Sequence, residues 1–228
     1  MTDVSFAAGQ RTVPGYLALP EPSDGVPAVV VIHEIHGLNA NIRGIAERFA
    51  REGYAALAVD LFAGRSRALC MARVMGGLVT GREPFALQDL VASVDYLAAR
   101  PEVDSGRIGA IGFCMGGGYA IAWARHDDRL RAIAPFYGTN PRPLTAMRRM
   151  CPVVGSYPGR DFTAKSGHNL EQRLGELNVP HDIKIYPDAK HSFFNDSGKA
   201  YDRAASDDAW ERTLAFFGEH IAAPAAAG

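Results

Sequence analysis

Short apolar runs alternate with longer segments of mixed polarity along most of the 228-residue chain. Most of the runs are rich in Val, Ile and Ala without polar alternation, which is typical of strands buried on both faces of a sheet. They predict strands at 16–19, 28–33, 55–59, 107–112, 132–136, 153–157 and 183–186.

The segments between these runs repeat apolar residues at intervals of three or four, which is the spacing of an amphipathic helix. In the first of them Ile42, Ile45 and Phe49 are the apolar positions, and Gly53 ends the pattern. Helices are predicted at 41–51, 85–100, 115–125, 164–178 and 201–221. The stretch 61–84 mixes Arg, Gly and Met without a clean period, and we interpret it as a helix plus a loop near the functional site.

This alternation of strands and helices predicts an α/β protein, a three-layer α/β/α sandwich around a mainly parallel sheet. No shift in composition marks a domain boundary, so we expect a single domain over residues 1–222. The end of the chain, residues 223–228, is rich in Ala and is predicted to be a disordered tail.

The composition narrows the possible partners. The net charge is −1, so nothing favours nucleic acid or an acidic membrane surface. No apolar stretch approaches the roughly 18 residues that cross a bilayer, and the first residues lack the basic and apolar regions of a signal peptide. The cysteines are Cys70, Cys114 and Cys151, an odd number without metal-ligand spacing, which favours a reducing compartment. We therefore expect a cytoplasmic protein that does not bind membranes.

The most informative motif follows the predicted strand at 107–112. It reads Gly-Phe-Cys-Met-Gly at 112–116, the strand–turn–helix pattern of a nucleophile elbow with Cys114 in the place of serine. The turn is sharp, so the residues two before and two after the nucleophile must nearly lack side chains. The backbone N–H of Met115 would then face a developing oxyanion. The alternative is a buried cysteine among glycines that only permit close packing.

A cysteine nucleophile needs a base, and the base needs a residue that orients it. His191 and Asp161 each lie in a loop after a predicted strand, and the chain order Cys, Asp, His is that of an α/β-hydrolase. Asp161 could instead cap its loop. Asp188 is a competitor that we interpret as a turn residue, because it lies only three positions before His191. Surface or packing roles are expected for His33, His36, His126, His168 and His181.

Four motifs together resemble the dienelactone hydrolase family (carboxymethylenebutenolidases), and the similarity covers nearly the whole chain. The motifs are Glu-Ile-His-Gly at 34–37, Gly-Phe-Cys-Met-Gly-Gly at 112–117, Gly-Arg-Asp at 159–161 and His-Ser-Phe-Phe-Asn at 191–195. The resemblance implies an α/β-hydrolase fold and a catalytic triad of Cys114, His191 and Asp161.

The resemblance also implies roles for three further residues. Glu34 would interact with the resting thiol and receive its proton when substrate binds, although a solvated loop carboxylate is the alternative for this residue. The backbone N–H groups of Ile35 and Met115 would form the oxyanion hole.

One feature departs from the family pattern. The resemblance leads us to expect an arginine shortly after the catalytic histidine, where it would bind a substrate carboxylate, but the chain reads Ser-Phe-Phe-Asn at 192–195. A second family arginine precedes the elbow, and Arg67 and Arg73 are the candidates for it.

These features predict a hydrolase of small carboxylic esters or lactones. The thiolate is the nucleophile, and a carboxylate beside it disfavours the ionised form, so Glu34 would keep the resting enzyme unreactive. Attack on a lactone would expel an enolate, and water would hydrolyse the thioester, converting dienelactone to maleylacetate. A broader carboxylesterase or thioesterase is the first alternative. A non-catalytic redox-sensing module is the second, but such a module would not need both Asp161 and His191, so their joint presence argues against it. We expect a monomer with a small-molecule substrate and neither metal nor organic cofactor.

Overall fold

The computed structural model describes residues 1–62, 65, 66, 69, 70, 72 and 86–222. Within these residues, eight strands form one sheet: β1 (Thr2–Ala8), β2 (Arg11–Ala18), β3 (Val26–Ile32), β4 (Ala55–Val59), β5 (Val103–Phe113), β6 (Leu130–Phe136), β7 (Val153–Pro158) and β8 (His181–Tyr186). Their order across the sheet is β1-β2-β4-β3-β5-β6-β7-β8. The two pairings at the β1 edge are antiparallel, and all the others are parallel.

Helices cover both faces of the sheet. They are α1 (Ala40–Arg51), α2 (Leu87–Ala98), α3 (Met115–Ala124), α4 (Ala164–Glu176) and α5 (Arg203–Phe217), with a 3₁₀ turn at Leu144–Ala146 and a π-helical turn at Gly218–Ala222. Helices α1 and α5 pack on one face, and α2, α3 and α4 pack on the other. The predicted three-layer α/β/α sandwich with a mainly parallel sheet is therefore confirmed.

Strand β3 contributes side chains to two hydrophobic cores, one on each face of the sheet. Ala28, Val30 and Ile32 face the core under α2, α3 and α4, whereas Val29 and Val31 face the core under α1 and α5. All five side chains are fully buried. Because side chains alternate between the faces of a strand, an uninterrupted apolar run is what a central strand requires.

The structure extends or corrects several predicted boundaries. The predicted strand at 16–19 overlaps only the last three residues of β2, which ends at Ala18, and β1 was not predicted at all. The predicted helix at 201–221 begins at Arg203, after Asp202 caps its first turn by accepting from Ala205 N–H at 3.1 Å, and its last turn is π-helical.

Two other predictions concern residues that the structure largely leaves out. Most of the stretch 61–84 and the whole tail at 223–228 lie outside the described residues. Among the helices that are described, none is long and apolar enough to cross a membrane.

Candidate active site

The residues predicted to carry the chemistry lie beyond the carboxyl ends of four strands of the sheet. Glu34 follows β3, Cys114 follows β5, Asp161 follows β7 and His191 follows β8. Tyr137 follows β6, which lies between β5 and β7. Parallel strands end at one edge of a sheet, so this topology gathers residues that are far apart in the sequence.

Cys114 forms the turn between β5 and α3 in a strained backbone conformation. Its φ is 54° and its ψ is −113°, a region that residues other than glycine rarely occupy. A Cβ atom on Gly112 would lie 2.1 Å from the carbonyl oxygen of Gly116, so the chain cannot make this turn with a side chain there. The Cys114 N–H donates to the carbonyl of Phe136 at 3.0 Å, which fixes the turn against the neighbouring strand.

His191 and Asp161 form a hydrogen-bonded pair. His191 Nδ1 lies 2.7 Å from Asp161 Oδ2, and the Thr163 hydroxyl donates to the same oxygen. Burial opposes ionisation of Asp161, but the hydrogen bonds from Thr163 and His191 hold the pKa of its carboxyl below the usual value. An ionised carboxylate only accepts, so Nδ1 carries the proton, and Nε2 of the neutral ring is left as the basic nitrogen.

Backbone contacts between two loops bring this pair together. The Gly159 N–H donates to the Tyr186 carbonyl at 2.7 Å, and the Arg160 N–H donates to the Ala189 carbonyl at 3.0 Å. A Cβ atom on Gly159 would lie 2.6 Å from the backbone of Pro187. The loop after β7 is therefore joined directly to the loop after β8.

The other candidate for the orienting carboxylate, Asp188, has a different hydrogen-bond partner. Asp188 has a side chain that is 81% exposed, and it accepts from Arg160 Nη2 at 2.6 Å. Of the two candidate carboxylates, Asp161 is the one that is hydrogen-bonded to His191.

Glu34 is buried, with 4% of its surface exposed. Its carboxylate accepts from Ser192 Oγ at 3.0 Å and from Asn195 Nδ2 at 3.4 Å. Asn195 lies in the stretch where the resemblance led us to expect an arginine. A neutral amide at this position therefore contacts the Glu34 carboxylate.

The surroundings of Cys114 strongly disfavour ionisation of its thiol. Burial, with the negative charges of Glu34 and Asp161, raises the pKa of the thiol to about 11, although the Met115 N–H acts in the opposite direction. The structure thus brings both carboxylates within electrostatic reach of the sulfur, and it directs the Met115 N–H toward it.

The two predicted oxyanion-hole segments are in direct backbone contact. A Cβ atom on Gly116 would lie 2.3 Å from the carbonyl oxygen of Ile32 and 2.8 Å from that of His33. The first turn of α3, which begins at Met115, therefore packs against the end of β3. Ile35 lies three residues beyond that end.

Sequence reasoning missed Tyr137. Its side chain is fully buried, its φ is 40°, and its ring centroid lies 5.1 Å from that of His191. Burial, the charge of Glu34 and a hydrogen bond to it raise the pKa of Tyr137 well above the usual value. An aromatic residue after a strand carries no catalytic motif, so only the positive φ, which the sequence does not show, marks it as unusual.

Phe162 was also missed. Its side chain is 72% exposed, and its ring stacks on that of His191 with 5.9 Å between centroids and 11° between planes. Its place directly after Asp161 is the one sequence signal that could have identified it. It gives the site an apolar wall on the side of the histidine.

Arg67 and Arg73 lie outside the described residues, so the structure does not place either of them. Within the part of the chain that is described, no group of three or more His, Cys, Asp or Glu side chains is arranged to hold a metal ion.

A mostly parallel sheet between two helical layers, with an elbow after β5 and a His–Asp pair after β8 and β7, defines the α/β-hydrolase class. The profile of the dienelactone hydrolase family matches residues 13–221. The chain belongs to this family and is a hydrolase.

Individual relatives agree with this assignment. A Saccharolobus solfataricus protein, provisionally named as a carboxymethylenebutenolidase, is 32% identical, with 94% of this chain and 96% of the relative covered. A Klebsiella pneumoniae structure, provisionally named as a dienelactone hydrolase, has a TM-score of 0.84 at 28% identity and covers 96% of this chain and 98% of its own. A dienelactone hydrolase-like promiscuous phosphotriesterase from metagenomic libraries has the same TM-score and coverage at 26% identity.

Proposed function

We propose that the protein is a cysteine-dependent hydrolase of small carboxylic esters and lactones that acts through a thioester intermediate. The observation that carries this proposal is the position of Cys114 at the elbow, with its thiol under the influence of Glu34 and with the His191–Asp161 pair formed at the ends of the neighbouring strands. Asp161 would orient His191, and the N–H groups of Ile35 and Met115 would hold the oxyanion.

The thiol must lose its proton before it attacks. Its pKa of about 11 leaves almost no thiolate at neutral pH, and the buried carboxylate of Glu34 is the proton acceptor that we assign. The thiolate adds to the substrate carbonyl to form the C–S bond, and the ester C–O bond breaks with release of an alkoxide or enolate.

Deacylation uses the His191–Asp161 pair. His191 Nε2 takes a proton from water, the resulting hydroxide attacks the thioester, and the sulfur leaves as a thiolate. The proton that Glu34 received returns to the thiolate, and the proton on His191 passes to the oxygen of the released alkoxide or enolate, which restores the resting enzyme. An enolate is a stabilised leaving group, so an enol lactone of the dienelactone type suits a thiol nucleophile, and maleylacetate would be the product.

A broader carboxylesterase or thioesterase is the second candidate. It is favoured by Asn195, which places a neutral amide where a carboxylate-binding arginine is expected, and by the apolar face of Phe162 beside His191. Such an enzyme would accept esters without a substrate carboxylate.

Turnover of p-nitrophenyl acetate and of a dienelactone, the latter followed by loss of ultraviolet absorbance, tests both candidates. We expect Cys114→Ala to lower turnover by about three orders of magnitude or more, because the nucleophile is lost. Cys70→Ala and Cys151→Ala are the controls. Cys70 is buried, burial raises the pKa of Cys151 to about 12, and neither lies at an elbow.

Full turnover in a folded Cys114→Ala protein would overturn the proposed nucleophile. A preference for the acetate over the dienelactone, with Cys114 still required, would select the broader esterase.

A further inference from the structure

His33 is a fully buried histidine at the end of β3 that the mechanism above does not use. Its Nδ1 lies 2.6 Å from the carbonyl oxygen of Glu34, and the N–H of Leu61, just beyond β4, donates to its Nε2 at 3.0 Å. A carbonyl can only accept and an amide N–H can only donate, so these partners select one neutral tautomer, with the proton on Nδ1.

The carbonyl that His33 holds belongs to the peptide unit between Glu34 and Ile35. This bond is trans, so the Glu34 C=O and the Ile35 N–H point in opposite directions from one rigid plane. The Gly37 N–H also donates to this carbonyl, at 3.1 Å. Two donors on one side thus determine where the Ile35 N–H points on the other side.

We propose that His33 is a positioning residue that aims the Ile35 N–H at the oxyanion by holding the Glu34 carbonyl. This inference rests on the proposed function, because it assigns a support to one of the two proposed oxyanion donors. The second bond, from Leu61 to Nε2, and the packing of the Phe62 ring at 4.8 Å between centroids fix the imidazole itself. Asp60 Oδ1 also lies near this ring, 3.8 Å from His33 Nε2.

Leucine and asparagine have nearly the same shape and provide a matched pair of substitutions. Both His33→Leu and His33→Asn leave Nε2 without a replacement, but the asparagine amide can still donate to the Glu34 carbonyl from a position close to that of Nδ1. We expect His33→Leu to lower kcat for p-nitrophenyl acetate by about tenfold or more with a smaller change in KM, because an oxyanion donor acts mainly in the transition state and a misdirected one no longer stabilises it. His33→Asn should recover a substantial part of this loss.

Two further measurements separate positioning from general damage to the site. An aldehyde inhibitor forms a hemithioacetal whose oxygen needs the oxyanion hole, so its affinity should fall in parallel with kcat in His33→Leu. Alkylation of Cys114 by iodoacetamide creates no oxyanion, and its rate should stay within about twofold of the native rate.

Equal kcat values in the leucine and asparagine variants, or a loss of alkylation that matches the loss of kcat, would overturn the positioning role. Native turnover in His33→Leu would overturn it as well. If the native protein itself hydrolyses none of the esters, the proposed function fails first, and this result is distinct from any difference among the variants.

Discussion

At the scale of single residues, the Cys114 thiol is held in its protonated form by its surroundings. Burial is the largest influence that raises its pKa to about 11, and the Glu34 carboxylate adds to it. The Glu34 carboxylate itself accepts from Ser192 and Asn195, which are neutral donors. If Cys114 is the nucleophile, as we propose, these surroundings would protect it from oxidants and casual electrophiles until a substrate arrives.

Replacing Glu34 by glutamine should therefore change two rates in opposite directions. Loss of the negative charge lowers the pKa of the thiol, so alkylation of Cys114 by iodoacetamide at neutral pH should accelerate by about tenfold for each unit of pKa. Ester hydrolysis should slow, because the group that we propose takes the thiol proton is gone. Both rates are measured on one preparation, and if neither changes, Glu34 has no part in the reaction.

The orienting carboxylate can be tested with a matched pair of variants. Asp161→Asn should lower kcat by about two to four orders of magnitude with little loss of stability, because His191 loses the acceptor that selects its tautomer and stabilises its charged form. Asp188→Asn changes an exposed carboxylate paired with Arg160 and should leave kcat unchanged. Steady-state kinetics measure kcat for both variants. A collapse of kcat in Asp188→Asn alone would assign the orienting role to Asp188 instead of Asp161.

At the scale of secondary-structure elements, the site depends on how closely α3 approaches the end of β3. Gly116 lies in the first turn of α3, and a Cβ atom there would lie 2.3 Å from the Ile32 carbonyl oxygen. Gly44 lies within α1, where a Cβ atom would have no neighbour within 4 Å. The same substitution at these two helical glycines should thus have opposite effects.

Gly116→Ala should lower the free energy of unfolding by roughly 2 kcal/mol or more, because backbone atoms must move apart to admit the methyl group. Gly44→Ala should raise it by about 0.5–1 kcal/mol, since alanine loses less conformational entropy in a helix. Urea denaturation of both variants checks the signs. Destabilisation of similar size at both positions would show that close approach is not the reason for glycine in the elbow.

The sequence predicted the buried elements better than the exposed ones. The predicted strand at 55–59 coincides with β4, all of whose residues are buried. In β1, by contrast, only Phe6 and Ala8 are buried, so no apolar run marks this edge strand.

The same contrast holds in the candidate site. Cys114, Asp161 and His191 could be selected because a motif or a loop position marked each of them. Tyr137 could not, because its importance arises from packing beside Glu34 and His191 that only the folded chain creates.

At the scale of the whole molecule, one buried carboxylate connects three parts of the chain. Asp89 in the first turn of α2 is 2% exposed, and it accepts from Arg11 at the start of β2 at 2.7 and 2.8 Å and from Arg65 at 2.8 Å. Arg65 also donates to the carbonyl of Leu61 at 2.8 Å. Since the Leu61 N–H binds His33, this network runs from the N-terminal hairpin to His33, which we propose as the support of the oxyanion hole.

Asp89→Asn should accordingly destabilise the whole fold. The amide keeps the shape of the side chain but removes the charge that offsets two guanidinium groups, so the free energy of unfolding should fall by about 2 kcal/mol or more. Asp188→Asn is the control, because its ion pair with Arg160 is exposed and should contribute less than about 1 kcal/mol. Urea denaturation measures both variants, and a loss in Asp89→Asn no larger than that in Asp188→Asn would mean that the three parts are held together by apolar packing alone.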